Sequence, residues 1–492
     1  MRANYMEYRS PQFHLLSDRQ LEELHLATLQ ILERTGVAFE CQEAIDLLGE
    51  AGADISNPNR VKIPSCLVEK ALQTAPKMVT IYSREGQPAM VLNGTSGPHF
   101  RGLCDSPEFL DPYTGQRRAC YIEDIADTAR VADALPNIEW LMIGGAHTTV
   151  PGTIADKVSL LQVIKSSSKP VAVATVGVAS LREMLKVCSV IVGGEKELQA
   201  KPFLLGSSQP ISPLLQGKDL MEKSLLCAEK GVPILVYGMQ MAGATAPATF
   251  PGCLVVADAE ILSQLVVLQL KNPGTPVIIG SMPNIMDMKT TIYPYGAPEL
   301  SLSVAALTEL SHYYKLPMLG SAGYTDSDVI GAQAGAELTY QIIVCALSGA
   351  DLAHDVGVMY HARMISPEFM VLADEVIDMV KVLMRGIEIN DETLPLGLIE
   401  RVGPKGTYIS EKHTLQHFRE FWMPKIFDRS ATKGKEVKNC EELLRERTIK
   451  ILRTHKPKPL SEDLVRELGK MEKGWFEGVG LEHLYPKRTG AK

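Results

Sequence analysis

Along the middle of the chain one pattern recurs eight times: a short unbroken apolar run, a glycine-rich stretch, then a longer helical pattern. The runs are "PHFRGLCD" around Phe100, "NIEWLMIGG" from Asn137, "KPVAVATVGV" from Lys169 and "KPFLLGSSQP" from Lys201. They continue with "VPILVYGMQMAG" from Val232, "TPVIIGSMPN" from Thr275, "LPMLGSAGY" from Leu316 and "ADLAHDVGV" from Ala350. Apolar residues that do not alternate with polar ones indicate parallel strands buried on both faces. Between the runs, "YIEDIADTARVADAL", "IADKVSLLQVIKSS", "SLREMLKVCSVIV", "DLMEKSLLCAEK", "ELSLSVAALTELSHYY" and "AGAELTYQIIVCALSG" predict helices. Eight strand–helix units in a row predict a (β/α)8 TIM barrel of α/β class rather than an open sheet.

The flanks differ. Residues 1–95 predict three helices and a hairpin over "MVTIYSREGQPAMVLNG", a helical addition with a small β element. Residues 96–385 carry the barrel, and residues 386–492 a charged helical tail containing "TLQHFREFWMPKIFDR" and "CEELLRERTIKILRTH".

Composition narrows the class. The chain has 492 residues, 45% hydrophobic and 22% charged, with a formal charge of −8, so a basic nucleic-acid footprint is not expected. "CLVVADAEILSQLVVLQL" holds Asp258, Glu260 and Gln264, which predicts a buried helix rather than a membrane span. The opening "MRANYMEYRSPQF" has no apolar signal core. Nine scattered cysteines without a CxxC pair point to reduced core thiols and a cytoplasmic setting.

In a barrel the chemistry gathers at the C-terminal ends of the strands. The loops there offer Phe100, Arg101, Asp105, His147, Tyr237, Met239, Gln240, Met282, Asn284, Tyr324, Asp326, Asp328, His354, Asp355 and His361. Several chemistries lack their residues. No strand interior holds a Schiff-base lysine, no Cys/His cluster suits zinc, and there is no GxSxG elbow, GxGxxG or GxxxxGK[ST]. The close pair His413/His417 lies in the tail, so no metal is expected, and no catalytic acid, base or nucleophile is assigned. What remains is rich in Tyr, Phe, Met and amides, a lining that suits a cation through the ring quadrupoles.

Five segments then point to a family. "MQMAGATAPATFPGCLVVADAEILSQLVVLQL" (239–270), "PNIMDMKTTIYPYGAPELSL" (283–302), "FLDPYTGQRRACYIEDIAD" (109–127) and "SQPISPL" (208–214) resemble the trimethylamine methyltransferase family, as does "KHTLQHFREFWMPKIFDR". The resemblance implies a barrel that moves a methyl group from an amine to Co(I) of a cobalamin carried by a separate corrinoid protein. Methanogenesis or acetogenesis-linked one-carbon metabolism would be its setting. The chain has no DxHxxG run to hold cobalamin itself.

Members acting on trimethylamine carry pyrrolysine in the loop that reads "TDSDVIGAQAGAE" here. Only standard residues stand at Asp326, Asp328 and Val329. A quaternary ammonium needs no such help, because a neutral tertiary amine leaves when the methyl carbon is attacked. The branch without pyrrolysine resembles enzymes of glycine betaine, proline betaine, carnitine or γ-butyrobetaine, with glycine betaine the first expectation.

For the donor, Tyr237, Tyr324 and Phe100 are the expected cage. His354, then His361 or Arg363, is expected at the carboxylate, and Asp105 near the ammonium. Gln333 and Glu337 open the seventh helix, where Glu337 reads as a helix-start carboxylate and Asp326 and Asp328 as caps. A different methylated donor, or a corrinoid-protein binding module without catalysis, is the alternative. A homo-oligomer is compatible with the helical flanks.

Overall fold

The computed structural model describes residues 13–94, 97–147, 149–429 and 438–481, so the expectation about a signal core lies mostly outside the described residues. All eight strands form: β1 His99–Leu103, β2 Ile138–Ile143, β3 Val171–Val173, β4 Leu204–Ser208, β5 Ile234–Gly238, β6 Val277–Ser281, β7 Met318–Ser321 and β8 Leu352–Val356. Every neighbouring pair is parallel, and β8 closes on β1 with Leu352 opposite His99.

Each strand is followed by a helix: α1 Ile122–Ala134, α2 Gly152–Ser166, α3 Val178–Val192, α4 Lys218–Lys230, α5 Phe250–Lys271, α6 Pro298–Tyr314, α7 Ala332–Ser348 and α8 Pro367–Met384. The chain is therefore an α/β barrel with its helices outside.

Successive side chains alternate between two cores. Trp140, Met142, Ala172, Leu205, Leu235, Tyr237, Ile278, Leu319 and Leu352 fill the interior. Their neighbours Leu141, Val171, Leu204, Ile234, Val277, Met318 and Ala353 pack against the helices.

The N-terminal end of the barrel is plugged. The antiparallel hairpin Val79–Tyr82/Pro88–Leu92 sends Val79, Ile81, Met90 and Leu92 into the interior cluster. Its Tyr82 N–H donates to Pro202 O and its Arg84 N–H to Ser168 O, just ahead of β4 and β3. Asp351, the residue before β8, accepts from the N–H groups of Asn93 (2.6 Å), Gly94 (2.6 Å) and Met318 (2.9 Å).

Helices Asp18–Gln30, Gln42–Glu50 and Ser65–Thr74 lie along α5. This explains why α5 is apolar all round. The barrel covers one side and the N-terminal helices the other, leaving 89% of its most apolar window buried, as expected for a core helix. Helix Cys440–Thr454 packs on α8 and α1, and Glu462–Gly478 on α2 and α3.

The helix expected over 414–429 is only partly present. A short turn at Lys412–His417 and a 3-10 turn at Phe418–Glu420 give way to irregular chain around Pro424, which cannot continue a helix. Beyond it the N–H groups of Lys425, Ile426 and Phe427 donate to Glu375 at 2.8, 3.0 and 3.3 Å. All nine cysteines are free, seven of them buried.

Candidate active site

At the C-terminal end, the loop after β7 crosses the barrel. Gly323 has φ +109°, and a Cβ there would meet Val356 at 2.8 Å, so the chain passes β8 closely enough that only glycine fits. The N–H groups of Gly323 and Tyr324 both donate to Gln341 Oε1 at 3.0 Å, fixing the turn. Tyr324 is thereby held in the interior cluster, 1% exposed. Ser321 Oγ donates to its hydroxyl at 2.6 Å, and Met282 Sδ lies 3.0 Å from that hydroxyl.

Three more tyrosines gather beside it. The Tyr295 ring lies 4.8 Å from Tyr324 between centroids, and Tyr293 lies 4.8 Å from Tyr295. Tyr237, at the end of β5, packs on His354 at 5.5 Å, and His354 meets Tyr324 edge-on at 6.2 Å. Burial raises all four hydroxyls above the usual phenol range, Tyr295 to about 12, so the rings stay neutral. Neutral rings present the negative faces that attract a cation.

Against this aromatic wall stands one charged group. Arg101, in the interior phase of β1, is 3% exposed and stacks 5.7 Å from the Trp140 ring centroid. It contacts Met142 Sδ and forms an ion pair with Asp355. Asp355 also meets His354 Nδ1 and the Tyr324 hydroxyl. Two buried polar atoms in this cluster, Arg101 Nε and His354 Nε2, have no hydrogen-bond partner. Burial, and then the nearby guanidinium, hold the His354 ring well below the usual imidazole range. His354 is thus a neutral hydrogen-bonding group, and the cation of the cluster is Arg101.

The other expected site residues separate. Tyr237 and Tyr324 come together as the expected cage, but Phe100 does not join them. It packs in the outer cluster beside Ile138 and Ala353, because its neighbour Arg101 takes the inward phase. Asp105 is also displaced from its expected role near the ammonium. Its two oxygens accept from Gly144 N (2.6 Å) and Gly145 N (2.8 Å), so it fastens the loop after β2. Burial raises its carboxyl, against the pull of those N–H groups.

His361 is partly exposed and lies 2.9 Å from Asp326. Arg363 is 62% exposed and pairs with Glu108 on the surface, away from the tyrosine cluster. Asp326 caps nothing. It accepts from Tyr295 N (3.0 Å) and Gly296 N (2.8 Å), holding the tyrosine loop, while Gly331 takes the N-cap of α7. Asp328 and Val329 are exposed and line a cleft of about 350 Å³ with Arg117 and Arg445, outside the tyrosine cluster. Gln333 is exposed and donates to Glu337 at 2.8 Å. Glu337 accepts from Thr325 Oγ1 (2.6 Å) and Asp326 N (3.0 Å), so it secures the loop that carries Tyr324.

Tyr293 and Tyr295 were not singled out from sequence, although "TIYPYG" places two aromatics directly after a strand-end loop. Among the described residues no group of three or more His, Cys, Asp or Glu side chains is arranged to hold a metal. The His413 and His417 rings lie 4.3 Å apart on the tail.

Comparison with known proteins bears on this site. A family model described as trimethylamine methyltransferase (MTTB) matches residues 1–472. The chain is 32% identical to trimethylamine methyltransferase MttB of Desulfitobacterium hafniense (strain DSM 10664 / DCB-2), covering 92% of each chain. It is 29% identical to the glycine betaine methyltransferase of Desulfitobacterium hafniense (strain Y51), covering 93% of this chain and 96% of that one. The crystal structure of the Methanosarcina barkeri monomethylamine methyltransferase (MtmB) superposes with a TM-score of 0.53 at 11% identity. It covers 96% of this chain and 89% of that one, a likeness of fold.

Proposed function

Since the chain belongs to the trimethylamine methyltransferase family and is a methyltransferase acting on methylated amines, we propose that its donor is a quaternary amine, glycine betaine first, and its acceptor the reduced corrinoid of a separate protein. The observation that carries this reading is the cluster of Tyr237, Tyr293, Tyr295 and Tyr324 at the barrel mouth. Neutral rings hold a quaternary nitrogen through their faces without neutralising it.

That distinction matters for rate. When a methyl group leaves, the nitrogen keeps the electron pair of the C–N bond and loses its positive charge. A carboxylate in contact with the nitrogen would favour the charged donor over the transition state and raise the barrier. Asp105 and Asp326 are bound to backbone N–H groups, and Asp355 is paired with Arg101. The residues of this chain therefore bind and orient, and the acceptor supplies the nucleophile as a second substrate. Alignment of nitrogen, methyl carbon and attacking metal is the contribution asked of the pocket. No proton transfer is needed, in keeping with the neutral His354 and the absence of an assigned acid or base.

The test is methylation of reduced corrinoid followed by absorbance, with trimethylamine, glycine betaine, proline betaine, carnitine and γ-butyrobetaine as donors. Methyl transfer from one or more betaines, with none from trimethylamine, is expected. Activity confined to trimethylamine would overturn the reading, as would silence across the panel with a cognate corrinoid protein present.

A further inference from the structure

Arg101 and Asp355 form the ion pair beside the tyrosine cluster, and the two members are not equivalent. The Arg101 side chain is 4% exposed and lies in the interior layer with Met142 and Trp140, whereas Asp355 is 13% exposed and stands nearer the mouth. Asp355 reaches that place through an unusual backbone. Its φ is +88°, rare for a residue with a side chain, and the pairing of β8 with β1 shifts register between Ala353 and Val356. Strained backbone at a strand end persists where the side chain it aims is needed. Here it directs a carboxylate onto a guanidinium that still has one buried N–H, at Nε, without a partner.

A guanidinium this deeply buried needs a counter-ion in every state of the enzyme, since a buried charge without one is strongly destabilising. Asp355 meets that need in the structure. Among the described residues it is the one carboxylate in ion-pair contact with Arg101. A carboxylate arriving from the mouth would find the same guanidinium and its spare Nε–H. A planar guanidinium suits bidentate carboxylate binding.

We propose that Asp355 stands in for an anionic group of the donor, which displaces it from Arg101 while the donor's quaternary nitrogen rests on the tyrosine cluster. The proposal rests on the reading of that cluster as a quaternary-amine site, and it narrows the donor class to zwitterions carrying a carboxylate. Arg101 then acts as a specificity residue rather than a catalytic one. Asp355 becomes a competitor that the right donor must replace. A bare cation leaves the ion pair intact and forgoes the second contact.

Calorimetric binding to the full chain, without any corrinoid, tests this. The ligands are glycine betaine and γ-butyrobetaine, the uncharged amide of each, and tetramethylammonium. In the wild type at least one betaine should bind about tenfold or more tighter than its amide, the difference that a charge-assisted hydrogen-bonded pair provides. Asp355→Asn removes the competitor, so that betaine should bind tighter, while tetramethylammonium, now facing an uncompensated guanidinium, should bind more weakly. Arg101→Lys should lower affinity for the betaine and leave tetramethylammonium little changed.

Opposite movement of the two ligand classes in Asp355→Asn is the signature. If both weaken together, Asp355 serves the ammonium directly and the proposal fails. If tetramethylammonium and the amides bind as well as the betaines, the tyrosine site stands and the anion site does not. If no ligand binds, both readings fall. The betaine–amide comparison needs no variant, so it decides the question even if a substitution prevents folding.

Discussion

Asp351, just before strand β8, and Asp355, near the strand's C-terminal end, stand four residues apart and illustrate how differently the two ends of the barrel are made. Asp351 gives its oxygens to three backbone N–H groups, from the end of the hairpin and from the start of β7, and is 1% exposed. Asp355 sits on a positive-φ backbone against Arg101, His354 and Tyr324, in a cluster where two polar atoms remain without partners. Asp351 is matched as it stands. Around Asp355, hydrogen-bonding capacity is left over at Arg101 Nε and His354 Nε2. Residual polar capacity in a buried place indicates a ligand more directly than residue type does, because a fold rarely leaves such groups unmatched without cause.

The comparison can be broken most forcefully at the closed end. Asp351→Ala strands the buried Met318 N–H and removes the acceptor of two less buried ones, at Asn93 and Gly94, and should destabilise the fold by about 2–3 kcal/mol, read as a clear drop in melting temperature. Quaternary-amine binding by the molecules that remain folded should be unchanged. A mild thermal effect there, or a loss of binding in the folded fraction, would blur the division between the two ends.

At the open end the order of effects should reverse. Tyr295→Leu removes one aromatic face from a partly exposed loop and should weaken tetramethylammonium binding about tenfold, roughly the worth of one desolvated cation–π contact. Its melting temperature should move far less than that of Asp351→Ala. Tyr295 would be a packing residue only if binding were untouched.

The smallest effect sharpens the boundary of the site. Arg363→Ala deletes an exposed partner of Glu108 on the rim, and exposed pairs of this kind contribute little. Neither binding nor melting temperature should change measurably. A clear loss of donor binding would bring Arg363 into the site.

The barrel was legible in the sequence because strands buried on both faces leave unbroken apolar runs, and a helix follows each of them. Tyr237 and Tyr324 could be found because each follows such a run. Phe100 was misplaced for a reason the sequence hides. Pairing with β2 shifts register between Phe100 and Arg101, so the inward phase cannot be counted from the run alone. Asp105 reads as a partner of the ammonium and Asp326 as a helix cap until the fold shows which backbone N–H groups meet them. Arg101 and Asp355 were visible but carried no signal by themselves. A charge inside a strand makes sense only beside its partner, and here the partner lies 254 positions further along the chain (355 − 101).

Helix α5 has the composition of a segment that could cross a membrane, yet it is enclosed by helices Asp18–Gln30, Gln42–Glu50 and Ser65–Thr74. All three precede it in the chain. During synthesis its sheath is therefore made before the greasy segment itself leaves the ribosome, and the order of the gene becomes a safeguard against misdirected insertion or aggregation. A circular permutation that moved residues 18–74 behind the barrel would keep every native contact available and still remove that protection.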